Sequence, residues 1–150
     1  MLTGTREEGK PVTEFPDLGL ESASRFVVEL GLVFDTVAFD RVTGHLSLGP
    51  QHHDSWRSVH SGVYSTIVER AASVGASRAV AHRGQFAVGI SNVTDTFITE
   101  VSGPAEVSAR PIFQDEDHQL WEVVISSADT AELLARGQLR LQNVPWRGRR

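Results

Sequence analysis

Between His60 and Ala81 no proline interrupts the chain, and Val63, Ile67, Arg70/Ala71, Val74 and Ser77/Arg78 recur at steps of four and three. That spacing gathers side chains on one face of a helix and predicts one from about His60 to Ala81. Small residues (Gly62, Ala71, Ala72, Gly75, Ala76) occur on nearly every side of it. Such a helix suits close wrapping by other elements. Glu69 lies mid-run, with Ser65, Thr66 and Ser73 at neighbouring helical positions. A carboxylate on a largely wrapped helix needs a reason, because burying an unpaired charge is costly.

The rest of the pattern frames that helix. Residues 1–16 are rich in Gly, Pro, Thr and Glu and read as a flexible segment. Asp17 is a candidate cap for a short helix whose apolar stripe is Ala23, Phe26, Val27 and Leu30, with Gly31 as its stop. Leu32 to Phe39 is strand-like, Arg41-Val42-Thr43-Gly44 reads as a hairpin turn, and His45 to Leu48 as the returning strand. A polar loop follows from Gly49 to Ser58, carrying His52, His53, Asp54, Trp56 and Arg57. After the long helix and a turn at Arg83-Gly84-Gln85 come four strand-like segments, about Phe86–Thr99, Ala105–Phe113, Gln119–Ser126 and Ala131–Asn143. Their alternation buries one face, and the short links between them favour antiparallel hairpins. The economical packing is α+β: a strongly curved antiparallel sheet of about five to six strands around one long central helix, with a short helix before it. This predicts a single domain over residues 17–144 and a basic tail over 145–150. Edge strands would remain exposed, and pairing them across a two-fold axis is one way to protect them.

Composition narrows the chemistry. The 150 residues include no cysteine, which excludes disulfides, thiolate metal sites and a cysteine nucleophile. A net charge of −5 argues against broad nucleic-acid binding. The basic tail around Arg147, Arg149 and Arg150 could meet a phosphate, but a solvated end is the plainer reading. No signal-peptide-like stretch or membrane-length apolar run is present, so a cytoplasmic protein with no membrane partner is expected. His52, His53, Asp54 and His60 raise the question of a metal. Adjacent histidines in an extended loop point to opposite sides and no H-E-x-x-H pattern occurs, so no metal is expected. Ser61 lacks the G-x-S-x-G surroundings of a hydrolase nucleophile.

The order of elements, the H-S-G-V-Y stretch at His60–Tyr64, Glu69 nine residues after the histidine, Ser73, A-V-G-I at Ala87–Ile90 and H-Q-L-W-E-V at His118–Val123 together resemble one family. They are similar to the hotdog-fold acyl-CoA thioesterases, nearest the phenylacetate-pathway and 4-hydroxybenzoyl-CoA thioesterase branch, over about Gly31 to Val144. The resemblance implies hydrolysis of an acyl- or aroyl-CoA thioester, with no cofactor beyond the coenzyme A of the substrate. It implies a homodimer, or a dimer of dimers (a homotetramer), with the site straddling the interface. Glu69 is then nucleophile or general base, and the N–H of Ser61, at the positive end of the helix, is the oxyanion donor. Asp54 and Ser73 would place the carbonyl or the water. His60, Gly62, Trp56, Tyr64 and Thr66 would line the substrate, although packing at an interface accounts for Trp56 and Tyr64 equally well.

The chain departs from the family pattern. Ser61 stands where a glycine is usual, and Asp54 where Asn or Gln is usual; an ionised Asp cannot donate a hydrogen bond. Thr96 and Ile98 occupy positions where relatives carry His or Arg. These departures keep two alternatives in view: a catalytically weak protein that binds acyl-thioesters, and, ranked below it, an enoyl-CoA hydratase.

Overall fold

The computed structural model of the protein describes residues 25–147. The expectations for residues 1–24, including the Asp17 cap, and for 148–150 lie outside them. Helix α1 (Arg25–Leu30) leads into β1 (Val33–Val37) and β2 (Val42–Leu48). A single 3-10 turn at Pro50–His52 precedes α2 (Ser61–Val80), and another at Ala81–Arg83 follows it. Then come β3 (Gln85–Thr96), β4 (Gly103–Gln114), β5 (His118–Ser127) and β6 (Leu133–Pro145). The six strands form one antiparallel sheet in the order β1-β2-β4-β5-β6-β3. One helix, α2, touches all six strands, which requires the sheet to curve around it. This is the curved sheet around one helix expected from the pattern, and the hotdog architecture that the family resemblance implies.

The core lies between α2 and the concave face. From the helix come Tyr64, Ile67, Val68, Ala71, Ala72 and Val74; from the sheet, Val42, Val107, Trp121, Val123, Ile125, Leu139 and Leu141. Small helical residues are needed where the sheet comes closest. A Cβ at Gly75 would fall 2.5 Å from the Trp121 ring and 2.7 Å from a Val42 methyl. On the sheet side, a Cβ at Gly137 would fall 2.6 Å from Val68.

Polar groups at one end of the core are satisfied together. Gln119 Nε2 donates to the Ala76 carbonyl at 2.9 Å and to Asn143 Oδ1 at 2.8 Å, while its Oε1 accepts from Trp121 Nε1 at 2.9 Å. Asn143 in turn donates to the carbonyls of Asp115 and Glu116, fastening the β4–β5 hairpin.

Two local expectations are corrected. The β1–β2 turn is Phe39-Asp40, closed by Ala38 N–H donating to the Arg41 carbonyl at 2.8 Å, and Val42–Gly44 belong to β2. Gly44 signals close approach rather than a turn: a Cβ there would sit 2.7 Å from the Val33 carbonyl oxygen. The link from β3 to β4 is not a hairpin either, since β4 pairs with β2 and β3 pairs with β6 at the sheet edge. At the carboxyl end β6 runs to Pro145. Trp146 N–H donates to the Gly84 carbonyl at 2.8 Å and its ring packs edge-on to Phe86, centroids 5.7 Å apart.

Candidate active site

The amino end of α2 is delivered by the Gly49–Ser58 loop, which its polar residues hold in shape. His52 is buried; its Nδ1 accepts from Gly49 N–H at 3.1 Å and its Nε2 lies 2.8 Å from the Leu30 carbonyl. Because a backbone N–H must donate to Nδ1, Nε2 carries the proton and donates. His53 Nε2 bonds to the Val101 carbonyl at 3.0 Å. The two adjacent rings are committed to different carbonyls, and among the described residues no group of three or more His, Asp or Glu is arranged to hold a metal.

Asp54 works inside its own loop. Its Oδ1 accepts from Trp56 N–H at 2.8 Å and Ser58 N–H at 3.1 Å. These bonds close a tight turn in which Arg57 takes a left-handed backbone, φ 63°, a conformation that costs about 1–2 kcal/mol outside glycine. Trp56 at the tip is 83% exposed.

His60 precedes the helix with extended backbone, φ −55° and ψ 133°, and its side chain makes no capping bond. Its N–H donates to the His52 carbonyl and its carbonyl accepts from Val63 N–H. His60 is thus anchored through its backbone. Ser61 and Gly62 are exposed, and as first-turn residues their N–H groups have no acceptor one turn back within the helix. Thr66 returns its hydroxyl to the Gly62 carbonyl at 2.7 Å.

Tyr64 is not positioned to touch a ligand in this chain. It is fully buried, and its hydroxyl donates to the Ile98 carbonyl at 2.9 Å. Burial pushes its pKa up to about 12. It ties the segment after β3 to the first turns of α2, in company with Val59 N–H on the Thr99 carbonyl.

Glu69 sits two turns further along and is exposed, contrary to the expectation of a wrapped carboxylate. Ser73 Oγ donates to its Oε1 at 3.2 Å. Beside it, Arg70 is half-buried; desolvation lowers its pKa and the charge of Glu69 partly opposes this. Ser65, Glu69 and Ser73 thus form a polar row at i, i+4 and i+8.

The structure brings Glu69 and Ser73 together and holds Ser61 away from them. Eight residues separate Ser61 from Glu69 on one straight helix, which is about 12 Å along the axis. A carbonyl needs both its oxyanion donor and its attacking group within roughly 3 Å, so one chain cannot act with this pair. Two concavities of the single chain, about 370 Å³ beside Arg83 and Gln119 and about 500 Å³ over Asp35 and His45, include neither residue.

Sequence reasoning missed Asn92 and Thr94. Asn92 Nδ2 donates to the Ser65 carbonyl at 3.0 Å, and Thr94 Oγ1 donates to Asn92 Oδ1 at 2.7 Å. Alternation along β3 did not point to them, because a bulge interrupts it between Gly89 and Ser91.

A curved antiparallel sheet wrapped around one long helix defines a hotdog fold. No family model matches the chain. It is 36% identical over 124 residues to a Mycobacterium tuberculosis protein named "Putative esterase Rv1847", covering 81% of this chain and 88% of that one. The solved structure of that protein superposes with a TM-score of 0.77 at 34% identity, over 83% of this chain and 99% of the other. A thioesterase from Haemophilus influenzae, HI1161, matches in fold with a TM-score of 0.76 at 20% identity, over 85% and 88% of the two chains. PaaI from the phenylacetic acid degradation operon of Escherichia coli matches in fold at 0.74 and 12% identity, over 84% and 88%. The chain belongs to the family of that M. tuberculosis protein, and it shares the hotdog fold of the H. influenzae and E. coli proteins.

Proposed function

We propose that the protein is a thioester hydrolase that cleaves an acyl- or aroyl-CoA to the free acid and CoA, in sites shared between two copies of the chain. The observation that carries this reading is the separation of Ser61 from Glu69 on one helix, combined with the state of β3. Among the described residues that strand is paired on one side only, and Val88, Ile90 and Val93 on it are 40%, 50% and 63% exposed. Its unpaired edge is suited to a second copy of itself across a two-fold axis. Such a dimer lays a second α2 alongside the first and brings one copy's helix tip toward the other's Glu69.

In that arrangement the thioester carbonyl points at the N–H groups of Ser61 and Gly62, where the helix end favours negative charge. Glu69 attacks the thioester carbon or takes a proton from the attacking water, with Ser73 holding the carboxylate or the water. The tetrahedral oxyanion is stabilised by the helix-tip amides, then collapses and expels the CoA thiolate, which takes up a proton. Attack by water yields the free acid at once, whereas attack by Glu69 leaves an acyl-Glu69 anhydride that a water then hydrolyses to the acid and the free carboxylate. A Cβ at Ser61 leaves its backbone donor intact. Trp56, exposed beside the helix tip, is available to line the acyl or pantetheine portion.

A panel of acyl- and aroyl-CoA substrates with thiol release as the readout tests the reading. Hydrolysis abolished in Glu69→Gln and retained in the parent supports it; no thiol release from any member of the panel overturns it. One observation favours a second reading, an acyl-thioester binder with weak turnover: Asp54 Oδ1 is committed to two N–H groups of its own loop and cannot supply an amide donor. Calorimetric binding of a CoA analogue without turnover would select it.

A further inference from the structure

We propose that Asn92 is a positioning residue for Glu69, fixing the helix turn that carries the carboxylate against the free edge strand. This rests on Glu69 being the reactive carboxylate of the proposed site. In the continuous helix α2, the Ser65 carbonyl is the acceptor of the Glu69 N–H. Asn92 Nδ2 donates to the same oxygen from β3 at 3.0 Å, using the second lone pair. Thr94 Oγ1 holds Asn92 Oδ1 at 2.7 Å, which fixes the amide with its N–H side toward the helix.

The strand is shaped to allow this. Ala87 and Gly89 lie opposite Asn143 and Leu141 on the concave face. Unbroken alternation would next turn Ser91 and Val93 inward. The register shift between Gly89 and Ser91 reverses the parity, so Asn92 faces Leu139 and Thr94 faces Gly137 on the helix side. Bulges re-aim side chains in this way. Gly137 completes the fit, since a Cβ there would fall 2.8 Å from Thr94 Oγ1.

A second bond lies beyond Glu69. Ala87 N–H donates to Ser77 Oγ at 3.1 Å. Ser65 and Ser77 are twelve residues apart on the helix, about 18 Å, and their partners Asn92 and Ala87, with the bulge between them, stand opposite Leu139 and Asn143, which are four residues apart on β6, about 14 Å. The later helix residue meets the earlier strand residue, so helix and strand run antiparallel, and the two bonds pin them on either side of Glu69 and Ser73. The same strand offers its other edge to a second copy. Pairing of strands therefore sets where the carboxylate sits relative to the opposing helix tip.

The test uses the full chain with benzoyl-CoA and hexanoyl-CoA, comparing Asn92→Asp, Thr94→Val and Thr94→Ser with Glu69→Gln. Asn92→Asp keeps the shape but replaces the donor with an acceptor facing the Ser65 carbonyl. The expected result is a fall in kcat of roughly ten-fold or more, as for slight misplacement of a reacting group, with KM within two-fold and an unchanged sedimentation mass. Thr94→Val lowers kcat in the same way without touching the helix bond directly, and the hydroxyl restored in Thr94→Ser recovers it. Parental kcat in both Asn92→Asp and Thr94→Val, with Glu69→Gln inactive, overturns the proposal alone. Parental hydrolysis in Glu69→Gln overturns the underlying site reading and this proposal with it.

Discussion

The hydroxyl of Ser73 donates to Oε1 of Glu69 at 3.2 Å, one turn further along the same helix. A carboxylate so held is oriented before substrate arrives. Ser73→Ala is expected to lower thioester turnover by roughly ten-fold, the scale of one hydrogen bond to a charged group, while Ser73→Thr keeps most of it. Steady-state kinetics on both, beside unchanged melting curves, checks this; full turnover in Ser73→Ala would remove Ser73 from the site.

The proposed division of the site between two copies predicts complementation. Ser61 occupies the first helical position, and His60 before it has the extended backbone that precedes proline readily. Ser61→Pro should therefore remove the oxyanion N–H with little harm to the helix. Ser61→Pro and Glu69→Gln should each be inactive alone. Mixed and allowed to exchange subunits, they should recover about a quarter of parental activity, since half the symmetric pairs are hybrids with one intact site of two. No recovery in verified hybrids would count against a shared site.

Placing a charge on the free edge should separate the copies. Val93 is 63% exposed on β3, and Val93→Asp is expected to give a folded monomer by sedimentation, with hydrolysis lost in parallel. A dimer of normal affinity in this variant would move the interface elsewhere.

Tyr64 is the only tyrosine in the chain, so phenolate absorbance reports on it alone. Its folded pKa of about 12 lies above the ordinary 10.0 because burial disfavours the phenolate. Between those values the folded state holds a proton that the unfolded state has released. The contribution is fully present below pH 10 and is lost as pH rises through the folded value. Thermal stability should therefore fall steeply above pH 10, and Tyr64→Phe should flatten that fall. Phenolate appearing in the native protein near pH 10 would contradict the buried placement.

Two glycines of α2 should respond with opposite signs to the same change. At Gly62 nothing lies within 4 Å of the place an added methyl would take, whereas at Gly75 the Trp121 ring is 2.5 Å away. Alanine improves helix propensity by up to about 1 kcal/mol at either position. At Gly75 overpacking costs about 1–3 kcal/mol, and the ring cannot easily withdraw because its Nε1 is tied to Gln119. Denaturant titration should show Gly62→Ala at or above parental stability and Gly75→Ala below it.

Much of this molecule is legible in one dimension. The spacing from Val63 to Ser77 marks α2 almost to its ends, and the later alternating segments mark β3 to β6 within a few residues. The family resemblance rests on the helix start and on the nine-residue step from His60 to Glu69. Local patterns carry that information because helix and strand periodicities are properties of neighbours in the chain.

What lay beyond the sequence depended on distant contacts. Gly44 read as a turn, yet it is a strand residue crowded by the Val33 carbonyl. Tyr64 read as either pocket or packing, and its burial under the segment after β3 decides for packing. Asp54 read as a carbonyl- or water-orienting group, and the two loop N–H groups that occupy its Oδ1 become visible only once the turn closes.

The linear chain thus determined the elements, the α+β class and which carboxylate to watch. Tertiary structure alone decided that β3 ends up at the edge beside β6, that Glu69 stands exposed rather than wrapped, and that a single bulge turns Asn92 toward the Ser65 carbonyl. The physical reason is parity: one extra residue in a strand exchanges its two faces, and nothing in the local composition of Gly89-Ile90-Ser91 announces which strand will stand opposite to force that exchange.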